Sequence, residues 1–168
     1  SELPSYKCYL SQLPATILKL LGLESPSFIN EPVGEIVEHF KGIERIVINL
    51  IDNFGLFEIT FLKPQFLITN SDALVLLSTK NPYTLGFLHQ IMFGGFEIEP
   101  NGFHLLREIN NQGKETILIG RKKDIERYDG GTKSIPKETD MSSWIEAAKV
   151  VNRFDLSWIH YLDFEALH

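Results

Sequence analysis

The hydrophobic pattern of the chain is centred on residues 44–55, ERIVINLIDNFG. The first half of this segment is a nearly continuous run of β-branched and aliphatic side chains, which is typical of a strand covered on both faces in a parallel sheet. The run ends abruptly at Asp52, which is followed by Asn53, Phe54 and Gly55. The pattern therefore predicts that Asp52 lies at the carboxyl end of a central strand, where open α/β sheets place their ligands.

The remaining pattern alternates between helix and strand. Further apolar runs predict strands at residues 65–69, 115–120 and 155–162. Amphipathic spacing predicts helices at residues 11–24, 32–42, 73–79, 102–112 and 140–151, the last with Asp140 as its N-cap. Residues 56–62 fit either a helix or a strand, and residues 122–135 have the glycine-rich, charged composition of a loop. This order predicts an α/β fold with a mostly parallel central sheet and right-handed crossovers.

Composition narrows the class of protein. A chain of 168 residues is most simply one domain, with an N-terminal helical segment at residues 1–43 and an α/β core at residues 44–168. The net charge of −6 argues against a nucleic-acid binder. The lone Cys8 excludes an internal disulfide and fits a reducing, cytoplasmic compartment. No apolar run reaches the roughly 20 residues that span a bilayer, so no membrane partner is expected. A homo-oligomer is left open.

Polar residues follow the predicted strands where each strand ends. Asp52, Thr69 and Asp163 occupy these positions. Because the carboxyl ends of neighbouring parallel strands meet at one edge, two carboxylates, a hydroxyl and a histidine could meet there and bind a divalent cation. The alternative is that strand-end aspartates cap the following helices or begin turns.

Four segments resemble, in the same order along the chain, motifs of the alkaline phosphatase superfamily. They are LIDNFG, ITNSDALVLLSTKNP, HLLREINNQGKETILIG and DLSWIHYLDFEALH. The superfamily includes alkaline phosphatases, nucleotide pyrophosphatase/phosphodiesterases and cofactor-independent phosphoglycerate mutases. The resemblance implies helices on both faces of the sheet and the metal-dependent hydrolysis or transfer of a phosphate ester.

The resemblance also implies roles for particular residues. Asp52, Asp163 and His168 would bind the metal, and Thr69 or Ser71 would be the nucleophile. The metal would be Zn²⁺ or Mn²⁺ in the first place, with Mg²⁺ as a third choice, and the partner would be a small phosphorylated substrate.

The sequence departs from the superfamily pattern in ways that support a second interpretation. Asn70 falls where the nucleophile belongs, and a carboxamide is not a competent nucleophile. Leu85 stands where many members have histidine, and the later Asp-His pair has no counterpart before His168. The sequence is therefore either an incomplete version of a longer enzyme or a non-catalytic α/β binding or interaction domain. A flavodoxin-like nucleotide binder fits less well, because LIDNFG is too acidic to hold phosphates.

Three further histidines, two tryptophans and one glycine-containing loop are given structural interpretations. His160, inside an apolar strand, is predicted to be a core histidine with a backbone hydrogen bond. His89 and His104 are predicted to be structural, and Trp144 and Trp158 are predicted to be core or interface aromatics. Residues 129–133 are predicted to form a surface loop.

Overall fold

The computed structural model describes residues 9–64, 86, 88–95 and 101–163, with residues 71–77 described by their backbone. It contains a six-stranded sheet with helices. The strands are β1 Arg45–Ile51, β2 Leu56–Leu62, β3 Ser71–Leu77, β4 Thr116–Gly120, β5 Ser134–Pro136 and β6 Leu156–Tyr161. The helices are α1 Leu13–Leu20, α2 Gly34–His39, α3 Leu105–Asn111, α4 Lys122–Tyr128 and α5 Asp140–Val150. A π-helical turn covers Leu88–Met92, and short 3-10 turns cover Leu10–Gln12 and Asp52–Phe54.

The strand order is β3-β2-β1-β6-β4-β5. β1, β6, β4 and β5 are joined by parallel pairings, whereas β2 pairs antiparallel with both β1 and β3. Among the six described strands, only β2 therefore runs against the others. The predicted α/β class and mostly parallel sheet are confirmed.

Two hydrophobic clusters form the core. The larger one contains Ile46, Ile48 and Leu50 of β1, together with residues of α1, α2, α3 and α4. The smaller one contains Val47 of β1 with residues of α5. Because successive side chains of a strand point to opposite faces, Val47 points away from the β1 residues of the larger cluster. β4 and β6 are buried at every position, as the continuous apolar runs predicted.

Residues 56–62, which fitted two structures from sequence, form strand β2. Its buried residues alternate, with Phe57, Ile59 and Phe61 in the core and Glu58 and Thr60 between them. This period of two is that of a strand with one fully buried face.

Two predictions of secondary structure were wrong. The helix predicted at residues 73–79 is replaced by strand β3, because a short apolar run such as ALVLL has no period that separates helix from strand. The loop predicted at residues 122–135 instead begins with helix α4, whose buried residues are only Ile125 and Tyr128. Two apolar positions in a charged segment give too weak an amphipathic signal to be recognised. The strand predicted at residues 65–69 lies outside the described residues.

The remaining helices are confirmed with shorter bounds, and one cap is corrected. Helix α5 is capped by Thr139 rather than Asp140. The Thr139 hydroxyl accepts a hydrogen bond from the Ser142 amide at 3.0 Å, and the Ser142 hydroxyl accepts one from the Thr139 amide at 3.1 Å. This reciprocal capping box leaves the Asp140 carboxylate available for other contacts.

The two tryptophans differ in burial. Trp158 is fully buried, as predicted for a core aromatic, whereas Trp144 on α5 is 49% exposed and is not a core residue. None of the helices described here is both long enough and apolar enough to cross a membrane.

Candidate functional site at the carboxyl edge of the sheet

The turns after β1 and β6 lie side by side at the carboxyl edge of the sheet. These strands are parallel neighbours, with Ile51 opposite Tyr161. Past the last paired residues of the two strands, the Asn53 amide donates a hydrogen bond to the Leu162 carbonyl at 2.7 Å. Asp52 and Asp163, which follow the two strands, are therefore brought to the same edge.

Asp52 is in contact with a histidine of the neighbouring strand. His160 Nε2 lies 3.2 Å from Asp52 Oδ2, so a proton on Nε2 is donated to the carboxylate. The His160 side chain is only 4% exposed, whereas that of Asp52 is 36% exposed. A buried donor thus fixes one side of a carboxylate whose other side reaches the surface.

A second carboxylate lies on the other side of the His160 ring. Asp124 Oδ2, in the first turn of α4, is 3.8 Å from His160 Nδ1. Strand β4 packs closely against His160 at Gly120, since a Cβ added there would lie 3.2 Å from the Cβ of His160. His160 is buried as predicted. Its ring contacts the carboxylates of Asp52 and Asp124, whereas a hydrogen bond to the backbone was predicted.

A buried carboxylate fixes the backbone before Asp163. The side chain of Asp140 is 3% exposed and forms an ion pair with Arg121 Nη2 at 2.8 Å. Its two oxygens also accept hydrogen bonds from the amides of Leu162 at 2.9 Å and Asp163 at 3.0 Å. One side chain from α5 therefore holds the residue after β4 and the two residues after β6.

The electrostatics at this edge keep the neighbouring phenol protonated. Burial, followed by the nearby carboxylates of Asp140 and Glu58, raises the pKa of Tyr161 well above its ordinary value. The Tyr161 phenol therefore stays protonated to a higher pH than an exposed tyrosine.

A cleft of about 640 Å³ opens between the ends of β4, β5 and β6. Arg121, Lys122 and Lys123 follow β4, and Lys137 follows β5. The Lys137 amide donates to the Gly120 carbonyl at 2.8 Å, which holds the two strand ends together. Asp124 also lines the cleft, so the cleft adjoins the Asp52–His160 pair.

The other residues predicted for the site are not brought to Asp52. Ser71 is the first residue of β3 and is paired with Leu62, which is itself paired with Arg45. Ser71 therefore belongs to the amino edge of the sheet, roughly 20 Å from the carboxyl edge for six residues of strand. Thr69 and His168 lie outside the described residues.

The carboxylates at the carboxyl edge are suitable ligands for a divalent ion, but the described residues supply too few of them to hold one. Aspartate oxygens are suitable ligands for Zn²⁺, Mn²⁺ and Mg²⁺. In the part of the chain that the structure describes, no group of three or more His, Cys, Asp and Glu side chains could hold a metal. Asp52 and Asp163 would thus need at least one ligand from elsewhere.

Sequence reasoning missed Asp124, Asp140 and Arg121, and it gave His160 a purely structural role. A usable signal existed for His160, because a histidine in a strand as apolar as LSWIHYL must find a polar partner. The partner could not be identified, since Asp52 is 108 residues away in sequence.

The sequence matches no protein-family model, and no solved structure matches the fold.

Proposed function

We propose that this protein is a metal-dependent phosphate-ester hydrolase or phosphoryl transferase whose site lies at the carboxyl edge of the sheet. The observation that carries the proposal is the placement of Asp52 one residue after β1 and of Asp163 two residues after the adjacent parallel strand β6. The hydrogen bond from the Asn53 amide to the Leu162 carbonyl joins the two turns. An alkaline phosphatase-like arrangement with helices on both faces is part of the same proposal.

In this proposal Asp52 and Asp163 hold a divalent ion, Zn²⁺ or Mn²⁺ before Mg²⁺. Such an ion lowers the pKa of a bound hydroxyl or water and offsets negative charge on a phosphoryl group. His160 orients the Asp52 carboxylate, as partners behind metal ligands commonly do, and Asp140 fixes the backbone of Asp163. His168 remains the predicted third ligand of the metal ion.

The nucleophile is not assigned by the described residues. Thr69 stays a prediction, and Ser71 begins β3 at the amino edge, so the proposal depends on neither. The cationic residues of the cleft support a phosphorylated substrate, because they lie beside the two carboxylates in a chain whose net charge is −6.

The small number of metal ligands among the described residues favours a second, non-catalytic function. Without a third metal ligand among the described residues, the edge could belong to a non-catalytic α/β binding domain. That domain would bind no divalent ion at Asp52 and would not hydrolyse phosphate esters.

Isothermal titration of Mn²⁺ and Zn²⁺ into chelator-stripped protein separates the two functions. We expect micromolar or tighter binding that Asp52→Asn or Asp163→Asn weakens by about tenfold or more. Asp155→Asn is the matched control, because Asp155 precedes the same strand β6 at the opposite edge. The metal-loaded protein should also hydrolyse p-nitrophenyl phosphate or bis(p-nitrophenyl) phosphate, and Asp52→Asn should abolish this activity.

The absence of binding in the folded wild type, or binding that Asp52→Asn leaves intact, would reject the metal-dependent function. Metal binding at Asp52 without hydrolysis of either ester would reject the catalytic part alone.

A further inference from the structure

We infer that the cleft between the ends of β4, β5 and β6 is a binding site for a phosphate dianion. The inference rests on the proposed function only in assigning that anion to the phosphoryl group of a substrate. Its own basis is the convergence of four cationic side chains, Arg121, Lys122, Lys123 and Lys137, on one cleft of about 640 Å³.

The convergence follows from the topology of the sheet. β4 and β5 are parallel neighbours, with Gly120 opposite Pro136. The residues that follow the two strands therefore leave the sheet at the same edge. Basic residues 16 positions apart in sequence, such as Arg121 and Lys137, are thereby brought to one surface.

The cations of the cleft differ in how far they are already neutralised. Arg121 is paired with the buried Asp140, and Lys137 lies 3.4 Å from Glu146. Lys122 is 82% exposed and forms only a long contact of 3.9 Å with Glu126. Lys123 is exposed and forms no ion pair within the described residues. Lys122 and Lys123 thus supply most of the positive charge that is available to a ligand.

The lining of the cleft holds four cationic side chains against two carboxylates, Asp124 and Glu138, so the lining itself carries a net positive charge. Asp124 is directed to His160, with 3.8 Å between its carboxylate and the ring, which leaves Glu138 as the other carboxylate in the lining. The contact through Asp124 and His160 also connects the cleft to Asp52. A phosphoryl group held by the lysines would therefore lie next to the proposed metal ligands.

The test is a titration of metal-free, ¹⁵N-labelled protein with inorganic phosphate, followed by NMR at constant ionic strength and in the presence of a chelator. We expect saturable shifts of the amides of residues 120–124 and 137–138. Lys122→Gln/Lys123→Gln should weaken binding by roughly fivefold or more, since each exposed ion pair contributes a factor of about two to five.

The matched control is Lys19→Gln/Lys41→Gln, which removes the same charge from two exposed lysines of the α1 and α2 region. This control should leave phosphate affinity unchanged. Acetate should bind more weakly than phosphate, because a monoanion gains less from the paired lysines. Circular dichroism checks that each variant is folded.

The inference is overturned if no saturable shift occurs at the cleft, if both double variants weaken binding equally, or if acetate binds as tightly as phosphate. Because no metal is present, this result is independent of the metal titration. Phosphate binding without metal binding would support the cleft and reject the proposed function, whereas metal binding without phosphate binding would reject the cleft alone.

Discussion

At the scale of single residues, Gly130 illustrates how closely the backbone approaches a buried ring. Gly130 has a φ of +58°, and a Cβ added to it would lie 2.5 Å from the Cδ2 of His104. The neighbouring Gly131 has a φ of +79°, but a Cβ added to Gly131 would meet no neighbouring atom within 4 Å. The residues predicted to form an ordinary surface loop therefore differ sharply in what surrounds them.

The two glycines provide a matched pair of substitutions. We expect Gly130→Ala to lower the free energy of unfolding by about 3 kcal/mol, because it adds a clash with His104 to the strain of a left-handed backbone. Gly131→Ala should cost about 1 kcal/mol, since it introduces the strain alone. Urea unfolding of both variants measures the difference. Equal losses would show that the His104 ring moves away at little cost.

His160 shows what sequence can and cannot reveal about a single residue. Its burial follows from the apolar residues around it, and the need for a polar partner follows from burial. The identity of that partner depends on the parallel pairing of β1 with β6, which places Leu50 opposite His160 and Asp52 just beyond. Pairing between strands more than 100 residues apart is a tertiary property, so no local pattern could supply it.

At the scale of elements, His104 joins the beginning of α3 to the end of α4. His104 Nδ1 accepts a hydrogen bond from the Arg107 amide at 3.3 Å, and Nε2 donates one to the Tyr128 carbonyl at 2.7 Å. The neutral ring satisfies both groups, whereas a proton on Nδ1 would remove the cap of α3. Burial lowers the pKa of His104 below its ordinary value of 6.5, against the opposing effect of the hydrogen bond to Tyr128.

This lowered pKa predicts a loss of stability in mild acid. Below about pH 6.5 the unfolded chain binds a proton at His104 that the folded protein resists, so the free energy of unfolding falls as the pH falls. Between about pH 7.5 and pH 5, wild type should lose up to about 1 kcal/mol per pH unit more than His104→Gln. Parallel slopes for wild type and His104→Gln would contradict the prediction.

The strands and helices that sequence predicted correctly carried a signal beyond apolar content. β1, β4 and β6 are rich in β-branched or aromatic residues, and α3 and α5 have amphipathic spacing. Strand β3 was assigned to a helix because seven residues rich in leucine do not distinguish the two structures without their neighbours. Its pairing with β2 determined the outcome, and that pairing is again a tertiary property.

At the scale of the whole molecule, the carboxyl edge is where separate segments of the chain meet. Asp52, Arg121, Lys137 and Leu162 follow four parallel strands, and the order of those strands places them together. Sequence could predict that strand-end residues would share an edge. It could not predict which strands would be neighbours, and so it overlooked the basic residues after β4 and β5.

Asp140 connects three of these segments through one carboxylate. It accepts hydrogen bonds from Arg121, Leu162 and Asp163 while its side chain is 3% exposed. Asp140→Asn should lower the free energy of unfolding by about 3 kcal/mol, because the amide leaves the Arg121 charge uncompensated and removes an acceptor oxygen. Asp155→Asn, which affects a single hydrogen bond from the Glu115 amide near the surface, should cost about 1 kcal/mol. Urea unfolding compares the two variants, and a loss for Asp140→Asn no larger than that for Asp155→Asn would contradict the proposed stabilising role of the Asp140 carboxylate.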